Sequence, residues 1–219
     1  MPAEGPLRDG YTPDFELIET LRWEPAGGFL RVERHLARLY GSAVELGFAC
    51  EPERVGQALA GAVGGAGPLR VRLVLTRSGA VDVVAQPYEP LAADKVWTLR
   101  IARHRLDSTD TLLRHKTSRR QAYIRARAEY LAQQSDEVLL LNERGEVCEG
   151  TITTLFADLG DGMLSTPRLD CGLLAGVLRA ELLEGGRARE VVITAPELEA
   201  ARTLYVGNSL RGLIPARLA

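Results

Sequence analysis

The apolar pattern of this chain switches repeatedly between a period of two and a period near 3.6, without settling into regular β-α-β alternation or an internal repeat. Phe15 to Trp23 alternates imperfectly and reads as a strand, with Phe29 to Val32 as its hairpin partner. Leu36, Leu39, Ala43 and Leu46 recur at three- and four-residue spacing, which predicts a helix over Val32 to Leu46 stopped by Gly47. A second helix is expected over Pro52 to Val63, ended by the glycines from Gly61 to Gly67. Leu69 to Thr76, Arg77-Ser78-Gly79 and Val81 to Ala85 form a β-hairpin signal. Gln86 to Asp94, with Pro87 and Pro90, reads as a linker. Beyond it, strands are expected over Val96–Ala102, Glu137–Asn142, Val147–Ala157, Met163–Thr166, Val191–Thr194 and Thr203–Val206. Helices are expected over Thr117–Gln133, Leu174–Leu183 and Pro196–Ala201.

This irregular order predicts an α+β fold rather than a doubly wound parallel sheet. Placing the boundary in the linker gives a small N-terminal α+β domain over 1–90 and a larger α+β domain over 91–219. Residues 1 to 12 read as a loose leader with no signal-peptide core, and no apolar stretch is long enough to span a bilayer. With 46% apolar and 26% charged residues and a net charge of −2, a soluble globule is expected, with no nucleic-acid or membrane partner. The arginine-rich run from Arg114 to Arg127 reads either as a solvated helix face or as part of a pocket for an anion. Cys50, Cys148 and Cys171 are odd in number and lack metal-ligand spacing, so reduced thiols and a cytoplasmic location are expected. His35, His104 and His115 do not cluster in sequence, which argues against a metal centre.

Three separated motifs carry chemistry. Lys116 lies in Leu113-Arg114-His115-Lys116-Thr117-Ser118-Arg119-Arg120, where neighbouring cations and burial would lower its pKa and free it as a nucleophile. Glu149 lies late in an apolar strand, in Val147-Cys148-Glu149-Gly150-Thr151, and such a carboxylate needs a buried partner. Gly207-Asn208-Ser209 follows a strand and can offer donors to an anion, as can the turn Gly172 to Val177 ahead of a helix. Arg38 could add a guanidinium. Each motif alone has an ordinary alternative: a surface lysine, a strand-edge glutamate bridged to an arginine, a simple turn, a solvated arginine. Together, an amine, a carboxylate and a phosphate-sized polar turn are what pyridoxal phosphate (PLP) requires.

The set resembles the fold-type IV PLP enzymes, or class IV aminotransferases, which include branched-chain and D-amino-acid aminotransferases and aminodeoxychorismate lyase. The resemblance runs from about Phe15 to Leu218 and is greatest to the lyase domain fused behind aminodeoxychorismate synthase component I. It is carried by His115-Lys116-Thr117, Glu149-Gly150-Thr151-Ile152-Thr153 and Asn208-Ser209-Leu210-Arg211-Gly212-Leu213. It implies that Lys116 is the Schiff-base lysine and proton shuttle, and that Glu149 partners the pyridine nitrogen. Arg38, Val177, Leu178, Asn208 and Ser209 are then cofactor-site residues, most of them toward the phosphate, and Thr20 is a catalytic residue of the N-terminal strand that faces substrate. It further implies a homodimer, with the site at the subunit interface, acting on a small molecule.

The activity so implied is 4-amino-4-deoxychorismate lyase, releasing pyruvate and 4-aminobenzoate for folate biosynthesis, with a separate synthase as a conceivable partner. A dianionic substrate calls for arginines near the pocket mouth, for which Arg211, Arg103 and Arg120 are candidates. The alternatives are a transaminase for a small or branched-chain amino acid, and a PLP-binding protein with little turnover. Three departures from the family pattern stand out. Thr154 replaces an asparagine, Ala175 replaces a proline, and Gln121 stands where branched-chain enzymes carry a tyrosine, the first tyrosine being Tyr123.

Overall fold

The computed structural model describes residues 15–219; the reading of residues 1 to 12 as a leader lies outside them. Two sheets organise the chain, and the α+β expectation holds. The first has the order β2-β1-β3-β4, from β1 (Leu17–Glu24), β2 (Gly28–Phe29), β3 (Leu69–Leu75) and β4 (Val81–Pro87). Its pairings are all antiparallel. One face is covered by α1 (Val32–Leu46) and α2 (Pro52–Gly61). Leu17 and Leu21 of β1 pack there with Leu39, Ala43, Val55, Val71 and Leu73. By strand alternation, Ile18, Thr20, Arg70 and Arg72 point to the opposite face, since Thr20 pairs with Arg72 and Ile18 with Val74. α1 ends as its sequence predicts, with Gly47 at φ 69°.

The second sheet is mixed, in the order β10-β9-β8-β11-β12-β5-β6-β7. Its strands are β5 (Trp97–Leu106), β6 (Glu137–Asn142), β7 (Val147–Gly150), β8 (Thr154–Asp158), β9 (Leu164–Pro167), β10 (Ala188–Val191), β11 (Thr203–Asn208) and β12 (Gly212–Leu218). Only β9/β10, β5/β12 and β5/β6 run parallel. One face buries Leu99, Leu139, Leu155 and Val206 with α5 (Ala195–Glu199). The other packs Val138, Leu140 and Cys148 against α3 (Gln121–Arg127), and Phe156 against α4 (Val177–Glu184).

Four local expectations are corrected by tertiary contacts. The helix expected over Thr117–Gln133 shrinks to α3, because residues 116–118 are drawn out along β1. Ile18 N–H donates to the Lys116 carbonyl, Ser118 N–H to that of Glu16, and Leu17 bridges Thr117. The single strand expected over Val147–Ala157 is broken into β7 and β8 at residues 151–153. There the buried carboxylate of Glu137 accepts from the N–H groups of Thr151 and Ile152 and the hydroxyls of Thr151 and Thr153. α4 starts at Val177 rather than Leu174, since Leu174 N–H donates to Glu149 and the Ala175 carbonyl accepts from Arg38. β12 is an additional strand. Pro215 interrupts its pattern, yet it sits in the ladder opposite Tyr205.

Candidate active site

A cavity of about 540 Å³ opens where the outer face of the small sheet meets the edge of the large one. Lys116, Glu149, Thr20, Arg38 and Ser209 all line it, as do Val177, Leu178, Asn208, Arg211 and Arg120. Arg103 is set apart: its side chain is 89% exposed and lies against Glu129, so the expectation of Arg103 at the pocket mouth is not met in this chain.

Lys116 is held at its main chain by β1, with Thr20 of the same strand also on the cavity wall. Desolvation lowers its pKa to about 8, helped by Arg38 and Arg120 and opposed by Glu19 and Glu149. The sequence contains one other lysine, Lys95, which lies 3.1 Å from Asp136 with its side chain 44% exposed. Lys116 is therefore the one lysine available to the cavity.

Glu149 comes from β7 and is 5% exposed. Burial raises its pKa to about 7, against the hydrogen bonds from Tyr123 and Leu174 and the positive charges of Lys116 and Arg120. Tyr123 Oη donates to Oε1 at 2.7 Å, and Leu174 N–H donates to the same oxygen at 3.1 Å. Oε2 has no protein hydrogen bond among the described residues, which suits it to accept from a protonated ring nitrogen.

The same cavity also offers a place for an anion. Gly176 is the N-cap of α4 and leaves the first-turn N–H groups without a side-chain cap, and Val177 and Leu178 line the cavity. The turn between β11 and β12 packs closely here: a Cβ on Gly207 would lie 2.7 Å from the Gly212 carbonyl oxygen and 2.8 Å from Leu178 Cδ2. Asn208 shapes this turn. Its Nδ2 donates to the Ile152 carbonyl and its Oδ1 accepts from Arg211 N–H. An amine, a carboxylate with a free oxygen and an uncapped helix start fit PLP, with Lys116 to bind its aldehyde carbon and the α4 end to hold its phosphate.

Several residues at the site escaped the sequence reading. Glu19, His35 and Ser209 form one buried hydrogen-bonded chain, so His35 does have site partners although the histidines do not cluster. Tyr123 reaches Glu149, Glu137 shapes the loop beside it, and Arg70 and Arg72 line the cavity. Parity was the available signal for Glu19: it shares an alternation with the core residues Leu17 and Leu21. His35 likewise lies one helical turn from Leu39 on the buried stripe of α1.

The sequence model of the family described as aminotransferase class IV matches residues 16–219. The chain belongs to the class IV aminotransferase family. It is a PLP-dependent enzyme of that family. A solved Mesorhizobium loti protein assigned as an amino-acid aminotransferase is 67% identical, with a TM-score of 0.93 over 94% of this chain and 100% of that one. The 4-amino-4-deoxychorismate lyase of Pseudomonas aeruginosa is 28% identical, with a TM-score of 0.79 over 100% of this chain and 88% of that one. A Schizosaccharomyces pombe protein assigned as an aminodeoxychorismate lyase is 32% identical over 80% of this chain and 75% of its own length.

Proposed function

We propose that this enzyme is a 4-amino-4-deoxychorismate lyase. The carrying observation is a group of cavity arginines with no acidic partner. Arg70, Arg72, Arg120 and Arg211 all line the cavity, and none has a carboxylate within salt-bridge distance among the described residues. Arg120 is held over the Tyr123 ring at 4.6 Å and donates to the Thr151 carbonyl, while Arg211 sits 5.8 Å from the Trp97 ring. Burial lowers the pKa of Arg211, a cost that an anionic ligand would relieve. A substrate with two carboxylates answers this surplus of positive charge better than an amino acid with an aliphatic side chain. The lyase relatives from fission yeast and Pseudomonas support the same reading.

Bound PLP would supply an electron sink for the charge that develops on the amino-bearing carbon. Glu149 would hold a carboxylate toward its ring nitrogen, which would keep that nitrogen protonated and the sink deep. Lys116 Nζ takes the proton from the ring carbon that bears the amino group. The C–O bond to the enolpyruvyl group then breaks, the carbocycle becomes aromatic, and the departing enolate takes up a proton as pyruvate. Thr20, on the strand beside Lys116, faces the leaving group. Arg211, Arg70 and Arg72 hold the two carboxylates and exclude water from the developing charge.

The test is product analysis with no added keto acid. The lyase yields pyruvate and 4-aminobenzoate in equal amounts from 4-amino-4-deoxychorismate. An aminotransferase, the reading favoured by the Mesorhizobium relative, yields neither and instead passes an amino group from an amino acid to a keto acid. We also infer a homodimer. Ile152 is 51% exposed while lining the cavity, an apolar side chain that a second subunit would cover. Sedimentation of a monomer across micromolar concentrations would refute this.

A further inference from the structure

Glu19 takes no part in the chemistry above, yet its buried carboxylate is bonded to both Arg38 and His35. It projects from the inner face of β1 and is 2% exposed. Arg38 grips it with a fork, Nε to Oε1 at 2.8 Å and Nη2 to Oε2 at 2.7 Å. The remaining arm, Nη1, donates to the Ala175 carbonyl at 3.0 Å, just ahead of α4. Oε2 of Glu19 also meets His35 Nδ1 at 2.7 Å, and His35 Nε2 lies 2.7 Å from Ser209 Oγ. A second guanidinium braces the same turn: Arg31, at φ 58°, donates to the Ser209 carbonyl at 3.2 Å.

Burial alone would push the Glu19 carboxyl up. Arg38 and His35 outweigh it and hold the pKa at about 2. An ionised carboxylate only accepts, so His35 must carry a proton on Nδ1, which fixes the ring orientation and presents Nε2 to the Ser209 hydroxyl. One buried carboxylate thus orients a guanidinium on α1 and, through His35, meets a hydroxyl on the β11–β12 turn, and both groups line the cavity beside Val177 and Leu178.

We propose that Glu19 is a positioning residue for the cofactor phosphate, setting Arg38 directly and Ser209 through His35. This rests on the reading that Arg38 and Ser209 hold that phosphate. A carboxylate serving only to stabilise the core would affect every ligand of the cavity alike. A phosphate-positioning carboxylate acts only on ligands that carry the phosphate.

The experiment titrates the apo-protein with PLP and, separately, with pyridoxal, which has the same aldehyde and ring but no phosphate. Binding is followed by the absorbance of the captured aldehyde. Glu19→Gln is expected to raise the Kd for PLP at least tenfold and that for pyridoxal less than twofold. Equal weakening of both, or of neither, overturns the proposal. Arg38→Ala is run beside it. If that change leaves PLP affinity intact, the phosphate reading itself is wrong. If it weakens PLP while Glu19→Gln does not, only the positioning role falls. Should Glu19→Gln fail to fold, His35→Gln and Ser209→Ala replace it in a double-mutant cycle on PLP affinity. Coupled effects support the relay, and additive effects overturn it.

Discussion

In the proposed chemistry two residues lead, and each carries a pH signature. Lys116 is an amine with its pKa lowered to about 8. Its capture of pyridoxal in the apo-protein should therefore rise about tenfold per pH unit below about 8 and level off above it. An unperturbed lysine would continue to rise to about 10.4. A stopped-flow pH profile of the capture rate separates the two. Glu149 is perturbed the other way, upward to about 7. Its folded-state pKa lies above its unfolded value. The stability it contributes is thus fully present below the unfolded value, near 4.5, and is lost as pH rises through about 7. Glu149→Gln keeps an oxygen for Tyr123 and Leu174 without the buried charge. Above about pH 7 the apo-variant should be more stable than the parent by about 1–3 kcal/mol in urea unfolding, while binding PLP more weakly. A destabilised variant would show that the carboxylate is already well satisfied without the cofactor.

At the scale of elements, the strongest local patterns were legible and the site geometry was less so. α1 spans the predicted residues because its apolar spacing, its core contacts and the stop at Gly47 agree. The loop between β7 and β8 was illegible because its cause is remote. Glu137 is 14 residues from Thr151 in sequence and, like Thr151, is buried. Five hydrogen bonds end on its two oxygens, counting the N–H of its own neighbour Val138. Glu137→Ala strips the acceptor from buried N–H and hydroxyl groups and should cost about 3–5 kcal/mol of stability, measured by urea unfolding. A cost under about 1 kcal/mol would mean that water replaces the carboxylate readily. The helix expected over Thr117–Gln133 failed for a comparable reason: β1, a hundred residues upstream, claims the backbone at Lys116 and Ser118. That same contact fixes the main chain of Lys116, the proposed reactive lysine. The close turn offers a second check. Gly207→Ala drives a Cβ onto the Gly212 carbonyl and Leu178, so PLP affinity should fall at least tenfold.

At the scale of the molecule, the sequence order sufficed for an α+β architecture, and the resemblance carried by the three motifs sufficed for a family. What it could not supply was which arginines share a cavity. Arg103 and Arg211 look alike in sequence, but β5 turns the first to solvent against Glu129, while the β11–β12 turn brings the second to the site. Arg70 and Arg72 reach it only through the pairing of β3 with β1. The proposed division into domains near residue 90 falls in the segment between β4 and β5, where Glu89 and Pro90 are exposed. Limited proteolysis should cut first there, leaving fragments that separate only in denaturant. Earlier cleavage within either sheet would argue against the division.

The proposed chemistry depends on Lys116 as the point where PLP is held. Borohydride reduction of the PLP-loaded protein followed by peptide mapping tests this directly, since Lys95 and Lys116 are its only lysines. The prediction is a single phosphopyridoxyl group on the peptide containing Lys116, absent from Lys116→Ala. A label on Lys95 alone, or no label at all, would contradict it.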